Sequence, residues 1–300
     1  MKIIIVGAGL SGLTTAIALR RYVSAQFVEI KIFDKPEREL TPERASTQGE
    51  GLGLQSNGLR VLEDLDPKLR DKVYAAGYPC GQFKWKTQGN VLIGREQVDV
   101  MPISRPFLVQ CLIEALPPNI IEYKTISQID IEDGKRPIVH FEDGSPAETA
   151  DLIIGADGVG SIVRKTMFGH DKAAQPEYLG VCAVGGVLEM PIPEHLENDP
   201  AMTFFIGSTG VCGYTGLTQS DKNKVLFWSV WRTECPAKDK VPDFGLIQEQ
   251  LRERHRGWTD PVIQQCIDKA EINNVYPVFL MPELPYWGRN GCVLVGDAAQ

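Results

Sequence analysis

Ile3-Ile4-Ile5-Val6-Gly7-Ala8-Gly9-Leu10-Ser11-Gly12, running on through residues 13–22, decides the fold. Four consecutive β-branched residues read as a strand buried on both faces, the habit of parallel sheets. Glycines at G-x-G-x-x-G spacing follow, and then an Ala- and Leu-rich run reads as a helix. Each glycine has its own reason: Gly7 makes the tight turn, Gly9 lets the backbone approach a pyrophosphate, and Gly12 packs the helix on the strand. The helix turns its N-terminus toward the same phosphate charge. Residues 28–33 form a second apolar strand ending at Asp34, about 20 residues past Gly12, where an acid accepts a hydrogen bond from a ribose hydroxyl. Strand, turn, helix, strand and acid in register predict binding of an adenine dinucleotide. A glycine turn needed only for packing is the competing reading, and this unit alone does not separate FAD from NAD.

The 300 residues suffice for two domains or one large one. With 43% hydrophobic and 23% charged residues, the composition is that of a globular chain and excludes disorder or fibrous repeats. Lys and Arg number 31 against 39 Asp and Glu, net −8, with no long basic run, so neither nucleic acid nor an anionic membrane is a natural partner. Seven scattered cysteines, with no C-x-x-C pair and no His at metal spacing, read as a reduced, cytoplasmic chain without a metal site. Residues 3–19 are uncharged but too short and too glycine-rich for a membrane span, and no other apolar run is long enough for one. The first strand lies so near Met1 that no cleavable presequence is expected before it.

Beyond the first unit, Asn57-Gly58-Leu59 opens a helix carrying Leu59, Leu62 and Leu65, and Asp66-Pro67 interrupts it before residues 68–76. Ser104 caps another helix, on which Arg105, Leu108, Leu112 and Leu116 recur. Residues 120–123, 126–131 and 138–141 read as short strands, with Asp133-Gly134 as a hairpin turn. From Leu179 the texture changes to β-rich runs at 180–188, 202–206, 211–217 and 224–231, whose turns suit an antiparallel sheet. The last run is apolar on both faces. Either one face meets helices and the other a pocket, or both are plain core, and Trp228 and Trp231 carry the same two readings. Residues 244–254 and 261–270 read as helices, the second with Pro in its first turn. There is no internal repeat.

Two later segments separate the cofactors. Asp151-Leu152-Ile153-Ile154-Gly155-Ala156-Asp157-Gly158-Val159-Gly160-Ser161-Ile162-Val163-Arg164 resembles the DG segment of the single-component, class A flavin-dependent aromatic hydroxylases, the para-hydroxybenzoate hydroxylase-like family. Residues 291–299, where the strand at 292–295 runs into Gly296-Asp297, resemble that family's GD segment. All three motifs stand in family order, and Gly51-Leu52-Gly53-Leu54 before Asn57-Gly58-Leu59, and Arg105 before Leu108 and Leu112, agree with them. The resemblance implies an α/β fold: a Rossmann-like FAD-binding domain from residues 1–74, 102–176 and 280–300, with an inserted β-rich (α+β) substrate domain from 75–101 and 177–279.

Carried over residue by residue, the resemblance puts Gly7, Gly9 and Gly12 at the pyrophosphate, with Leu10 and Ser11 in the same cofactor-binding turn, and Asp34 on the adenosine ribose. It brings Arg105 toward the FAD from the helix it opens, sets Asp157 and Gly158 between the flavin and nicotinamide sides, and gives Asp297, after Gly296, the ribityl chain. A carboxylate at the carboxyl end of a buried parallel strand suits that last role, because open α/β sheets bind ligands there. Asp157-Gly158 is equally an ordinary turn, and Arg164 equally an ion-pair partner of some acid.

The activity implied by the resemblance is monooxygenation. NADPH (or NADH) reduces FAD, O2 adds at the flavin C4a position, and the hydroperoxide hydroxylates an aromatic or other electron-rich, small apolar molecule. The alternatives are an FAD-dependent epoxidase or reductase acting on an isoprenoid, and a non-catalytic dinucleotide-binding protein. No second G-x-G-x-x-G follows a strand, and Gly49 to Gly53 has the wrong spacing, which argues against a two-dinucleotide reductase. His140, His170, His195 and His255 have no partner in sequence, neither G-x-S-x-G nor H-E-x-x-H occurs, and no residue stands out as a catalytic base. The oligomeric state stays open. In the family the GD segment continues through a His and a Pro into a glycine-rich helix start; here Gln300 takes the His position and the sequence stops. A truncated chain of this kind is expected to hold FAD weakly and to release oxygen as peroxide.

Overall fold

The computed structural model describes residues 1–39, 51–169, 171–236 and 242–300; Gly49 and His170 lie outside them. In chain order the strands and helices begin with β1 (Lys2–Val6), α1 (Leu10–Tyr22), β2 (Glu29–Asp34), β3 (Gly51–Gln55), α2 (Ser56–Leu65), α3 (Pro67–Ala76), β4 (Cys80–Thr87), β5 (Leu92–Ser104) and α4 (Arg105–Glu114). Then come β6 (Ile121–Tyr123), β7 (Ile126–Asp130), β8 (Ile138–Phe141), β9 (Glu148–Thr149), β10 (Leu152–Gly155), α5 (Ile162–Phe168), β11 (Glu177–Glu189), α6 (Glu194–Asn198) and β12 (Ala201–Gly207). The chain continues with β13 (Gly210–Gly216), β14 (Lys224–Arg232), α7 (Phe244–His255), α8 (Pro261–Lys269), β15 (Tyr276–Leu280), β16 (Gly288–Arg289) and β17 (Cys292–Leu294). It packs as two units: Met1–Thr41 with Val109–Glu177 and Phe279–Gln300, and Pro42–Leu108 with Tyr178–Val278. These boundaries differ from the sequence expectation at 74/75 and 101/102, because β3 pairs along its whole length with the end of β5.

The first unit is built on a six-stranded sheet in the order β16-β17-β10-β1-β2-β6, parallel except for the β16–β17 pair. Ile5 lies opposite both Ile32 and Ile154, and Gly155 opposite Leu294, so β1, β2, β10 and β17 all finish at one edge. Ile4, Ile5, Ile32 and Phe33 are fully buried, as expected for strands covered on both sides. Val163 and Met167 of α5 close the core over Ile153 and Leu294. A separate three-stranded sheet, β7-β8-β9, turns between β7 and β8 at Gly134, whose φ of +72° favours glycine.

The second unit carries an eight-stranded sheet in the order β15-β11-β14-β13-β12-β4-β5-β3. Leu251 of α7 and Ile263, Cys266 and Ile267 of α8 pack with Phe205, Tyr214 and Phe227 from one face of it. The local signals that start its helices are side-chain caps. Asp66 accepts from the Lys68 amide at 2.9 Å with Pro67 in the first turn of α3, and Asp260 accepts from the Val262 and Ile263 amides at 3.0 and 3.1 Å with Pro261 opening α8.

His255 at the end of α7 is 1% exposed. Its Nδ1 lies 2.8 Å from the Leu251 carbonyl and its Nε2 3.5 Å from Ser229 Oγ, which fits a neutral ring donating through Nδ1. Burial is the main cause of a pKa below the ordinary 6.5, partly opposed by the Leu251 hydrogen bond. A folded pKa below the unfolded one means that the neutral ring stabilises the fold above pH 6.5 and that this contribution is lost as pH falls through that value. The urea midpoint is therefore expected to fall between about pH 7.5 and about pH 5, and to fall less in His255→Gln. Equal slopes in parent and variant would assign the loss to other groups.

Candidate functional site

The shared edge of the parallel sheet gathers most of the residues singled out by sequence. The Gly7 amide donates to the Phe33 carbonyl at 2.7 Å. Its φ is +105°, and a Cβ there would lie 2.4 Å from the Ala156 carbonyl oxygen, so this position takes only glycine. A Cβ on Gly12 would lie 2.0 Å from the Gly7 carbonyl oxygen. Gly9 differs from both. Its backbone is extended, at φ −78° and ψ −176°, and a Cβ would meet nothing within 4 Å. Two of the glycines are therefore demanded by packing, whereas the third borders open space at the start of α1.

That space is suited to an anion. An α-helix leaves its first N–H groups without intrahelical acceptors. In α1 no side chain caps them and no acid sits in the first turn, while Arg20 and Arg21 lie in the last. Asp34, at the end of β2, accepts from the Ala8 amide at 2.9 Å through Oδ2 and from the Lys35 amide at 2.7 Å through Oδ1. Each oxygen keeps acceptor capacity for a hydroxyl donor, and the same bonds fix the carboxylate beside the glycine turn. An open cradle over Gly9, an uncapped helix start and an anchored acceptor together fit a dinucleotide's pyrophosphate and ribose.

The loops after β10 and β17 adjoin the cradle. Gly296 has φ +57°, and a Cβ on it would lie 2.1 Å from Ser11 Oγ, so the turn after β17 closes directly on the start of α1. Asp297 is exposed in that turn and bonds to none of the described residues. Asp157 behaves differently. Its Oδ1 accepts from Ser161 Oγ at 2.6 Å and its Oδ2 from the Ile162 amide at 2.6 Å, so the side chain is engaged with the start of α5. Burial pushes its pKa above the usual carboxylate range, and these hydrogen bonds oppose the shift. Gly158 follows with φ +77°, the geometry of the Asp-Gly turn that the sequence also allows.

Arg164 joins the two loops. It is wholly buried; Nη1 donates to the Ala298 carbonyl at 2.9 Å and Nη2 to the Val159 carbonyl, while Nε is buried without a partner among the described residues. Of the readings the sequence left open for Arg164, the structure shows two carbonyl partners rather than an ion pair with an acid. Burial lowers its pKa, and the charge of Asp157 opposes that shift. Sequence reading missed this strut, although Ser161, a serine just ahead of an apolar helix, is a start signal for α5 and does accept from the Arg164 amide at 3.0 Å.

Other residues lie elsewhere. Arg105 opens α4 in the second packing unit. His140 pairs with Asp130 at 2.7 Å on the surface of the three-stranded sheet, and His195 Nε2 lies 3.2 Å from the Tyr214 hydroxyl. None of the seven cysteines is in a disulfide, and all but Cys235 are buried. Among the described residues no group of three or more His, Cys, Asp or Glu is placed to hold a metal, and no helix is long and apolar enough to cross a membrane.

Several known proteins are similar to this chain in sequence or fold. Zeaxanthin epoxidase, chloroplastic, of Spinacia oleracea is 27% identical over 321 residues, covering 99% of this chain and 44% of the relative. The 3-amino-4-hydroxybenzoate 2-monooxygenase of Streptomyces cremeus is 30% identical over 218 residues, 69% of this chain and 51% of the relative. The chain thus spans about half the length of these two curated relatives. Among solved structures, Klebsiella pneumoniae HpxO complexed with FAD and uric acid superimposes with a TM-score of 0.81 at 20% identity, over 100% of this chain and 73% of that one. It has the same fold, a Rossmann-like parallel sheet with a second, largely antiparallel one. A family model described as FAD binding domain matches residues 1–299, and with the glycine cradle, Asp34 and the Gly296 turn already placed at one sheet edge, the chain belongs to that FAD-binding family.

Proposed function

We propose that the chain serves an FAD-dependent monooxygenase that uses NADPH or NADH and O2 to oxygenate a small aromatic or other electron-rich molecule. The observation that carries this reading is the single dinucleotide cradle at the parallel sheet edge, accompanied by a β-rich second unit and no second nucleotide fold among the described residues. Bound there, FAD would take a hydride from the nicotinamide and pass electrons to O2.

The chain's own groups bind and orient. The amides at the start of α1, approached over Gly9, hold the pyrophosphate, with Gly7, Leu10, Ser11 and Gly12 shaping the turn. Asp34 accepts from the adenosine ribose. Asp297, exposed with all its acceptors available, takes hydroxyls of the ribityl chain, and Gly296 sets its turn. Asp157 and Gly158 fix the neighbouring loop rather than reach outward. In this assignment the first packing unit is the FAD-binding part and the second supplies the substrate surface. The S. cremeus relative, a monooxygenase of an aminohydroxybenzoate, supports the hydroxylase reading. The spinach relative favours a second reading, epoxidation of an isoprenoid on the same scaffold. Free, largely buried thiols support a reducing compartment such as the cytoplasm.

Asp34→Ala is expected to weaken FAD binding by about 1.5 to 3 kcal/mol, the range for a hydrogen bond to a charged group. Titration of the apo chain by quenching of flavin fluorescence measures it, and unchanged affinity would remove Asp34 from the site. The activity is tested by supplying FAD, NADPH and a panel of phenols, aminobenzoates and cyclic isoprenoids, and following oxygen uptake, peroxide and product together. Substrate-dependent oxygenated product supports the reading; retention of NAD but not FAD after desalting would overturn it.

A further inference from the structure

On the face of the eight-stranded sheet opposite α7 and α8, three aromatic residues and three glycines share one line across six strands. Gly185 of β11 lies opposite Trp228 of β14, Trp228 opposite Gly213 of β13, Gly213 opposite Phe204 of β12, Phe204 opposite Trp85 of β4, and Trp85 opposite Gly94 of β5. A Cβ on Gly213 would lie 2.3 Å from Trp228 Cζ2, so the indole lies down over the Gly213 backbone instead of standing off the sheet. Trp85 and Phe204 are stacked, with centroids 4.6 Å apart and planes 21° apart, and Trp228 continues the row 5.2 Å from Phe204. All three rings are only half-buried.

Close backbone approach accounts for Gly185 and Gly213, where a Cβ would lie 2.3 Å from the Phe227 carbonyl oxygen and 2.6 Å from the Thr203 carbonyl oxygen, but not for three half-buried rings laid in one row. Glycine inside a strand weakens it and gives up side-chain contacts, and it recurs where a ligand or another backbone approaches closely. The other face of the same strands is built conventionally, with Tyr214, Phe205 and Phe227 buried against helices. Charge points the same way. Two positions either side of the row along its six strands, this face carries a single charged residue, the exposed Glu96 of β5 opposite Phe83, whereas Lys84 and Lys86 project from the opposite face. A carboxylate laid on the row would lose water and find no counter-charge there, whereas a neutral ring loses nothing comparable. Flat π-faces at stacking distance instead favour a planar, conjugated ligand.

We propose that Trp228, Phe204 and Trp85 form a stacking floor that binds a planar, uncharged aromatic or conjugated molecule and discriminates against its carboxylated analogue. This deepens the monooxygenase reading by naming the substrate class, and rests on it only for what happens to the ligand after binding.

The test uses the FAD-supplemented full chain and equilibrium dialysis against 2-naphthol, neutral near pH 7, and 2-naphthoate, ionised there. The parent is expected to bind 2-naphthol at least about 10-fold more tightly than 2-naphthoate. Trp228→Leu and Phe204→Leu should each weaken 2-naphthol binding at least about 5-fold, the low end for loss of an aromatic stacking partner. Trp85→Phe, which keeps a ring, should stay within about 3-fold of the parent. FAD affinity, measured separately by flavin fluorescence, should be the same in all four proteins. Failure of the parent to bind 2-naphthol, a preference for 2-naphthoate, or unchanged binding in both Leu variants overturns the floor. So does a dimer that dissociates in Trp228→Leu, since the face would then be covered by a second copy of the chain. Loss of FAD binding by the parent alone counts against the functional reading and leaves the 2-naphthol result standing.

Discussion

Gly9→Val abolishes detectable FAD binding, raising Kd at least about 100-fold, while the unfolding temperature stays within about 2 °C of the parent. The contrast follows from what surrounds the three glycines. A Cβ at Gly9 meets no protein atom within 4 Å, and the extended backbone there suits any residue, so the fold tolerates substitution at this position. The branched side chain fills the space through which a pyrophosphate reaches the α1 amides, and loss of two hydrogen bonds of about 1.5 kcal/mol each already amounts to two orders of magnitude. Gly12→Ala is the control of opposite sign. Its Cβ collides at 2.0 Å with the Gly7 carbonyl oxygen, so it lowers thermal stability whether or not FAD is present. If Gly9→Val keeps FAD at parental affinity, the pyrophosphate does not lie over this turn.

Arg164→Ala destabilises the chain by roughly 3 to 5 kcal/mol in urea denaturation. The substitution leaves the Ala298 and Val159 carbonyls without their donor and opens a cavity where a wholly buried side chain had been. Each orphaned buried acceptor costs about 1 to 3 kcal/mol, and the cavity adds to that. Arg164→Lys recovers part of the loss, because one ammonium can reach one carbonyl but cannot span both as a planar guanidinium does. A loss below about 1 kcal/mol for the alanine variant would mean that the Asp157 and Gly296 loops hold their positions without the strut.

The parallel sheet was legible because its strands announce themselves by composition. Ile3 to Val6 and Leu152 to Ile154 are continuous apolar runs; the first leads into Gly7, whose φ of +105° makes a tight turn, and the second into Gly155, which ends its strand packed against Val163 and Leu294. The break at Asp66-Pro67 and the helix opened by Pro261 were equally plain in the sequence, while the capping roles of Asp66 and Asp260 emerge only from the structure. Less visible was the hairpin of β4 and β5. Cys80 to Thr87 alternates Lys and Gln with Phe and Trp, and the buried face includes Gln82 and Lys84, held by Asp199 from a distant turn. That partner is unknowable from local pattern, so the strand looks half-exposed and unremarkable. At the candidate site the structure gathers Gly7, Gly9, Gly12, Asp34 and Gly296 at one sheet edge, a grouping legible in the sequence because their offsets are local to one βαβ unit or to one strand end. The bridge from Arg164 to Ala298 joins positions 134 apart that only the folded sheet brings together, whereas Asp157 turns inward to Ser161 and Ile162, four and five positions on.

The strand order of the first sheet also has a consequence for how the protein comes off the ribosome. Lys2 donates to Asp151, 149 positions away, and β10 in turn waits for β17, so β1 and β10 sit in the middle of a sheet whose neighbours are made late. At about 5 to 20 residues per second, β1 spends roughly 10 to 30 s with one long apolar edge unpaired, and β10 a similar time after it. An unpaired, uncharged strand edge is a template for pairing with another nascent chain. Yield of the native form is therefore expected to depend on synthesis rate and on holding factors during elongation more than on the stability of the finished fold. Slower expression at lower temperature should raise the soluble fraction even where the purified chain is thermally robust.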